Sequence, residues 1–138
     1  MRGADVKSPL EDEPKVIRLY TPEEKEKRIK RELNRLKKIF ADLHEDAKRV
    51  ADGLIQEAAF MRVTLEETRA VIDREGVIER FEQGVQRFYR EHPATKVYTA
   101  LINRYQGVMK QLIDLLPDED KTKQGVDELM EFVKGRAR

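Results

Sequence analysis

Cysteine and tryptophan are both absent from this 138-residue chain. Without thiols there is no disulfide framework and no thiolate metal site, a composition that fits a reducing compartment. Ser8 is the only serine, so the raw material for a Ser–His or Cys–His nucleophile is nearly missing. The two histidines, His44 and His92, form neither an H-x-x-x-H nor an H-x-H pair. Both fall at element junctions, where a solvated or capping role suits them. The acidic clusters Glu11–Glu13 and Asp118–Asp120 lack the ordered spacing and central glycine of a calcium loop, and read as solvated linkers. No G-x-x-x-x-G-K-[ST] occurs, which excludes a Walker-type nucleotide loop. No apolar run approaches the roughly 18 residues of a membrane span, and the N-terminus carries no signal-peptide apolar region. The expectation is a soluble, intracellular, non-enzymatic protein with no cofactor, no metal and no membrane partner.

Charge is what the chain has in abundance. Charged residues make up 40% of it, yet 28 Lys and Arg against 27 Asp and Glu leave a net charge of only +1. Such balance argues against disorder driven by net charge. Abundant Glu, Lys, Arg and Leu favour long helices with solvated faces.

The pattern along the chain divides it into three parts. Residues 1–20 mix both signs around Pro9 and Pro14 without a sustained period and are expected to form a flexible arm. Residues 21–117 are expected to be a helical core and oligomerisation domain. Residues 118–138 read as an acidic link, a short helix carrying Val126, Leu129, Met130 and Val133, and the basic tail Lys134–Arg138.

Within the core, Thr21-Pro22-Glu23-Glu24 has the form of a helix start, with Thr21 as cap, Pro22 in the first turn and Glu24 completing a capping box. Ile29, Leu33, Leu36, Phe40 and Leu43 then make a narrow seam for one neighbour. The stretch Asp42–Asp46 interrupts the helix, with Asp42 or Asp46 available as the next cap. A longer helix is predicted from about Glu45 to Glu75, ending at Gly76, with Ala47, Val50, Ala51, Leu54, Ala58, Met61, Leu65, Thr68 and Ile72 as its seam. Phe60, Val63 and Val71 project away from that seam and form a patch that another surface should cover. From Val77 to Arg90 the helical period breaks. Val77, Ile78, Phe81, Val85, Phe88 and Tyr89 surround Glu82-Gln83-Gly84, which predicts a short β-hairpin.

A third helix lies between Pro93 and Pro117. Pro93 suits a first turn and Pro117 cannot continue a helix. Its apolar residues, among them Tyr98, Leu101, Tyr105, Met109 and Leu112 with Ile102 and Ile113 at the edge, cover an arc of roughly 160°, against about 100° or a little more for one buried side. This helix should meet more than one partner. Phe60, Val63, Val71, Tyr98, Ile102, Met109 and Ile113 are therefore the candidate subunit interface, although the core of a small bundle explains much of the same pattern. The fold expected is mainly α: a helical hairpin, a short β-hairpin and a long third helix, in an oligomer.

The strongest local charge lies on the first helix. From Lys25 to Lys38 there are eight basic and two acidic side chains, a net of +6. Lys27, Arg28, Arg31, Arg35 and Lys38 lie opposite the Ile29–Phe40 seam, as a stripe that tracks DNA phosphates would. A solvated face balanced by acidic neighbours is the competing reading.

The segments GLIQEAAFMRVTLEE (Gly53–Glu67), FEQG (Phe81–Gly84), EHP (Glu91–Pro93), INRY (Ile102–Tyr105) and KQLIDLLP (Lys110–Pro117) give the chain its resemblance to a family. From about Lys37 to Pro117 it resembles the small subunit of a tailed-bacteriophage terminase, in a group where an α-hairpin precedes a Gly-containing turn, an Asn/His-Pro helix start and a K-Q-L-x-x-L-L-P ending. The resemblance implies a non-catalytic, ring-forming homo-oligomer in the cytoplasm of a bacterial host cell. It would recognise double-stranded viral DNA and hand it to the large subunit, which carries the ATPase and nuclease. Many such proteins have an evident helix-turn-helix, a pattern from which this chain departs: the Phe40–Asp46 junction is only a candidate for one, and which surface meets DNA is left open. A helical DNA-binding transcriptional regulator and a protein-binding helical adaptor are the alternatives from other classes.

Overall fold

The computed structural model describes residues 18–122 and 124–133, with the side chains of residues 122–127 and 132 excepted. Helix α1 spans Pro22–Ile39, α2 Glu45–Glu75, β1 Ile78–Gln83, β2 Gln86–Glu91, α3 Pro93–Asp114 and α4 Gln124–Val133, with a 3₁₀ turn over Asp118–Thr122 before α4. The protein is mainly helical, with one two-stranded antiparallel sheet between α2 and α3.

Local chemistry explains each boundary. Thr21 caps α1 by accepting the Glu24 N–H at 3.1 Å, and Pro22 fills the first turn. The Glu24 carboxylate, expected to complete a capping box, instead accepts from Arg28 one turn on. At the next start neither Asp42 nor Asp46 is the cap. His44 holds that position without a side-chain cap bond, while Glu45 and Asp46 sit in the first turn, where the helix dipole favours negative charge. Gly76 stops α2 with φ +87°, a conformation that a side chain would strain. The hairpin turn falls at Gly84-Val85, one residue later than expected, with Gly84 at φ +60°. His92 and Pro93 then start α3.

The core lies where α2 meets α1 on one side and α3 on another. Leu36, Phe40 and Leu43 pack there with Ala51, Ile55, Ala58, Met61 and Leu65 of α2 and Tyr105, Met109, Leu112 and Ile113 of α3. Ala58 and Ala59 are fully buried, which lets neighbouring backbones approach closely. Val50, expected on the α2 seam, is 58% exposed, and Ile55 and Ala59 take its place inside. Leu129, Met130 and Val133 of α4 close over the same core. The side chain of Val126 lies outside the described set.

That closure accounts for the wide apolar arc of α3. Its second neighbour is α4 of the same chain, so part of the arc is consumed within the protomer. The last residues of the expected arm are also placed. The N–H groups of Leu19 and Tyr20 donate to the Glu67 carboxylate at 3.2 and 3.3 Å, which ties Arg18–Tyr20 to α2. The rest of the arm, residues 1–17, and the basic tail Lys134–Arg138 lie outside the described residues.

Candidate nucleic-acid interface and assembly surfaces

The α1–α2 pair is a long antiparallel hairpin. Lys25 lies fourteen residues before the end of α1 and Glu67 twenty-two residues into α2. At the helical rise these are about 21 and 33 Å from the turn, so a perpendicular crossing would hold them about 39 Å apart. Lys25 Nζ is instead 3.1 Å from Glu67 Oε1. Helix-turn-helix readers cross at about 90–120°. The Phe40–Asp46 junction is therefore the bend of the expected α-hairpin and not the crossing of a helix-turn-helix.

The basic stripe of α1 is partly spent on internal pairs. Arg28 bonds Glu24 and lies 4.2 Å from the centre of the Tyr20 ring. Arg35 grips Glu32 through two bonds of 2.8 and 2.7 Å, and this grip holds its guanidinium strongly protonated. Lys27, Arg31 and Lys38 are exposed and pair with no carboxylate among the described residues. Five residues predicted as one stripe thus divide into two committed guanidiniums and three available cations.

A second basic cluster lies at the α1–α2 bend. Lys37, Lys48 and Arg49 line a groove of about 570 Å³ whose floor is Phe40, Ala41, Ala51 and Ile55, with Glu45 and Asp52 also on its walls. Lys38 adjoins Lys37 at the same end of α1. Lys48 and Arg49 lie in α2, beyond the charge run of α1, and sequence reasoning misses them for that reason. The signal that could find them is their position as adjacent cations one turn past a helix start.

The residues expected at a subunit interface also separate. Met109 and Ile113 are 0% and 5% exposed in the central core, and Val63 and Val71 are 2% and 8% exposed. These four are interior residues of the protomer, unavailable to a neighbour as it stands. Phe60 remains 47% exposed, with Lys25 Nζ 5.2 Å from its ring centre. Tyr98 and Ile102 line a shallow groove between α2 and α3 with Arg62, Leu65, Glu66 and Arg69.

Beneath that groove the buried Tyr105 ring lies next to Arg62, which is itself 37% exposed. Burial pushes the Tyr105 phenol up, and the adjoining Arg62 guanidinium pulls against it. Burial opposes the Arg62 charge in turn, but Tyr105 and Glu32 outweigh it and hold Arg62 cationic.

Among the described residues no group of three or more His, Asp or Glu side chains is placed to hold a metal ion, and no helix is long and apolar enough to cross a membrane. No known protein family, curated protein or solved structure matches the chain.

Proposed function

We propose that this chain is a non-catalytic small subunit of a viral DNA-packaging terminase, acting in the bacterial cytoplasm as a homo-oligomer that binds double-stranded DNA and delivers it to a large ATPase/nuclease subunit. The observation that carries the reading is the cluster of Lys37, Lys38, Lys48 and Arg49 at one end of the α-hairpin. Its four cations are all exposed, as phosphate contacts require, and they share the bend with the exposed carboxylates Asp42, Glu45, Asp46 and Asp52, so the contact would rest on individual side chains and not on a net positive field. The pattern from Lys37 to Pro117 that resembles terminase small subunits supplies the biological setting. A long antiparallel hairpin suits backbone contact better than insertion of a recognition helix, which favours this reading over a transcriptional regulator.

The test has two arms. Native mass should show a ring of several subunits, and duplex DNA should bind with an affinity that falls steeply with salt. The purified chain should neither hydrolyse ATP nor cut DNA, while stimulating a large subunit that does both. A monomer without DNA affinity would leave the protein-binding adaptor as the surviving alternative.

A further inference from the structure

The β-hairpin stands apart from the helices. All six residues of β2 are exposed, as are Ile78, Arg80, Glu82 and Gln83 of β1. Isolated two-stranded hairpins are marginal in water, and both outer edges here offer unpaired backbone groups. Around the hairpin base Val77 is 53% exposed, Ile78 62% and Tyr89 74%. This is the largest group of unprotected apolar side chains among the described residues.

The ladder fixes which backbone groups face outward. Ile78 pairs with Glu91, Arg80 with Tyr89, Phe81 with Phe88, Glu82 with Arg87 and Gln83 with Gln86. With a two-residue turn, the flanking Gln83 and Gln86 exchange the hydrogen bonds, and bonded and non-bonded pairs alternate from there. Ile78, Arg80 and Glu82 of β1, and Arg87, Tyr89 and Glu91 of β2, therefore aim their N–H and C=O groups at the outer edges.

These two edges complement each other. If β2 of one copy met β1 of the next in the register used within the hairpin, every outward group would find a partner. Glu82 would again oppose Arg87, Glu79 would oppose Arg90 and Phe81 would oppose Phe88. Those are the pairs that hold the hairpin together: Glu79–Arg90 at 2.6 Å, Glu82–Arg87 at 3.8 Å, and the Phe81 and Phe88 rings 5.2 Å apart. A shift of two residues one way would set Arg80 against Arg87, which is unfavourable, and a shift the other way would pair Arg80 with Glu91 but lose the Glu79–Arg90, Glu82–Arg87 and Phe81–Phe88 pairs.

We propose that the hairpin is the joint between subunits, with β2 of one copy adding antiparallel to β1 of the next. The contact is head-to-tail, so it propagates around a ring rather than stopping at a dimer. It deepens the assembly part of the proposed function and rests on that part alone, independent of DNA binding.

Because the chain has no cysteine, introduced thiols report without background. Gln83→Cys and Gln86→Cys are placed in separate, differently tagged copies and co-expressed. Across the proposed joint these positions form a non-hydrogen-bonded pair, the closer kind. Oxidation should give a disulfide dimer joining the two tags, and neither variant alone should cross-link to itself. Tyr89→Cys alone serves as control: its self-linking would mean a symmetric β2–β2 dimer and overturn the proposal. Tyr89→Pro removes an outward N–H while leaving the intrahairpin bonds in place. It should shift native mass to the 16.2 kDa monomer with helical circular dichroism unchanged. If the wild type is a ring but the mixed cross-link fails and Tyr89→Pro stays a ring, the joint is wrong and the assembly reading survives. If the wild type is monomeric at micromolar concentration, both fail.

Discussion

His92 and Glu75 lie seventeen residues apart in sequence and join the end of α2 to the start of α3 across the hairpin base. The Nδ1 atom of His92 accepts the Ala94 N–H at 3.0 Å, so Nε2 carries the proton and donates to Glu75 Oε1 at 2.8 Å. The backbone N–H of His92 donates to Val77 C=O at 2.8 Å. One residue thus caps a helix, ties back the preceding helix and closes the hairpin. The bond to His92, with help from Arg74, holds the Glu75 carboxyl below the ordinary carboxylate range.

Separating those roles gives the first expected result. His92→Ala should cost about 1 kcal/mol from the missing cap alone, read in urea unfolding. His92→Asn keeps a capping oxygen but cannot span to Glu75. It should recover most of that stability while exchanging the amide protons of the hairpin base faster than wild type. Equal protection in the His92→Asn variant and the wild type would show that the Glu75 link does not hold the hairpin.

Glu67 predicts a dependence on pH. Burial alone would raise its carboxyl, but the bonds from Lys25 and from the Tyr20 and Leu19 N–H groups prevail and lower it. A carboxyl lowered by folding contributes stability that is fully present above its unfolded value, about 4.3, and is lost as pH falls through its lower folded value. Stability of the wild type should therefore fall more steeply below about pH 4 than that of Glu67→Gln. Superimposable profiles would remove Glu67 from the acid transition.

Much of this fold is legible in the sequence where one residue type has one physical use. Thr21-Pro22, Gly76 and Pro93 mark helix ends, and the change of period after Val77 marks the hairpin. What is illegible depends on which side chains meet. A helical wheel cannot show that α4 covers part of α3, so Met109 and Ile113 read as an interface when they are core. It also counts charge without partners. Arg28 and Arg35 have Glu24 and Glu32 at four- and three-residue spacing, a signal present in the sequence but outweighed by the appeal of a continuous stripe.

Tyr105 tests the polar contact beneath the α2–α3 groove. Tyr105→Phe keeps the ring but removes the buried hydroxyl, and should cost no more than about 1 kcal/mol, because Arg62 is 37% exposed and keeps Glu66 as a partner. Tyr105→Ala should cost about 3–5 kcal/mol through the cavity it opens. Combining Tyr105→Phe with Arg62→Met should be less destabilising than the sum of the single changes. Additive costs would mean that the two groups do not act together.

The division of the basic residues yields the sharpest test of DNA binding. Arg28 and Arg35 are already engaged by carboxylates, so Arg28→Gln with Arg35→Gln should leave the salt dependence of binding nearly unchanged. Lys37, Lys38, Lys48 and Arg49 have no such partners among the described residues. Changing all four to Gln should flatten the plot of log affinity against log salt by about 0.9 for each phosphate that the protein no longer neutralises. In an oligomer the same end recurs in every subunit, so the effect per chain is multiplied when several chains engage one duplex. A fluorescence-anisotropy titration from low to moderate salt measures both slopes, with native mass checking that assembly is intact. A flattened slope in the Arg28/Arg35 pair would return the DNA to the outer stripe of α1. If neither set changes the slope but Lys27→Gln with Arg31→Gln does, DNA lies along the middle of that helix and the groove at the bend serves something else.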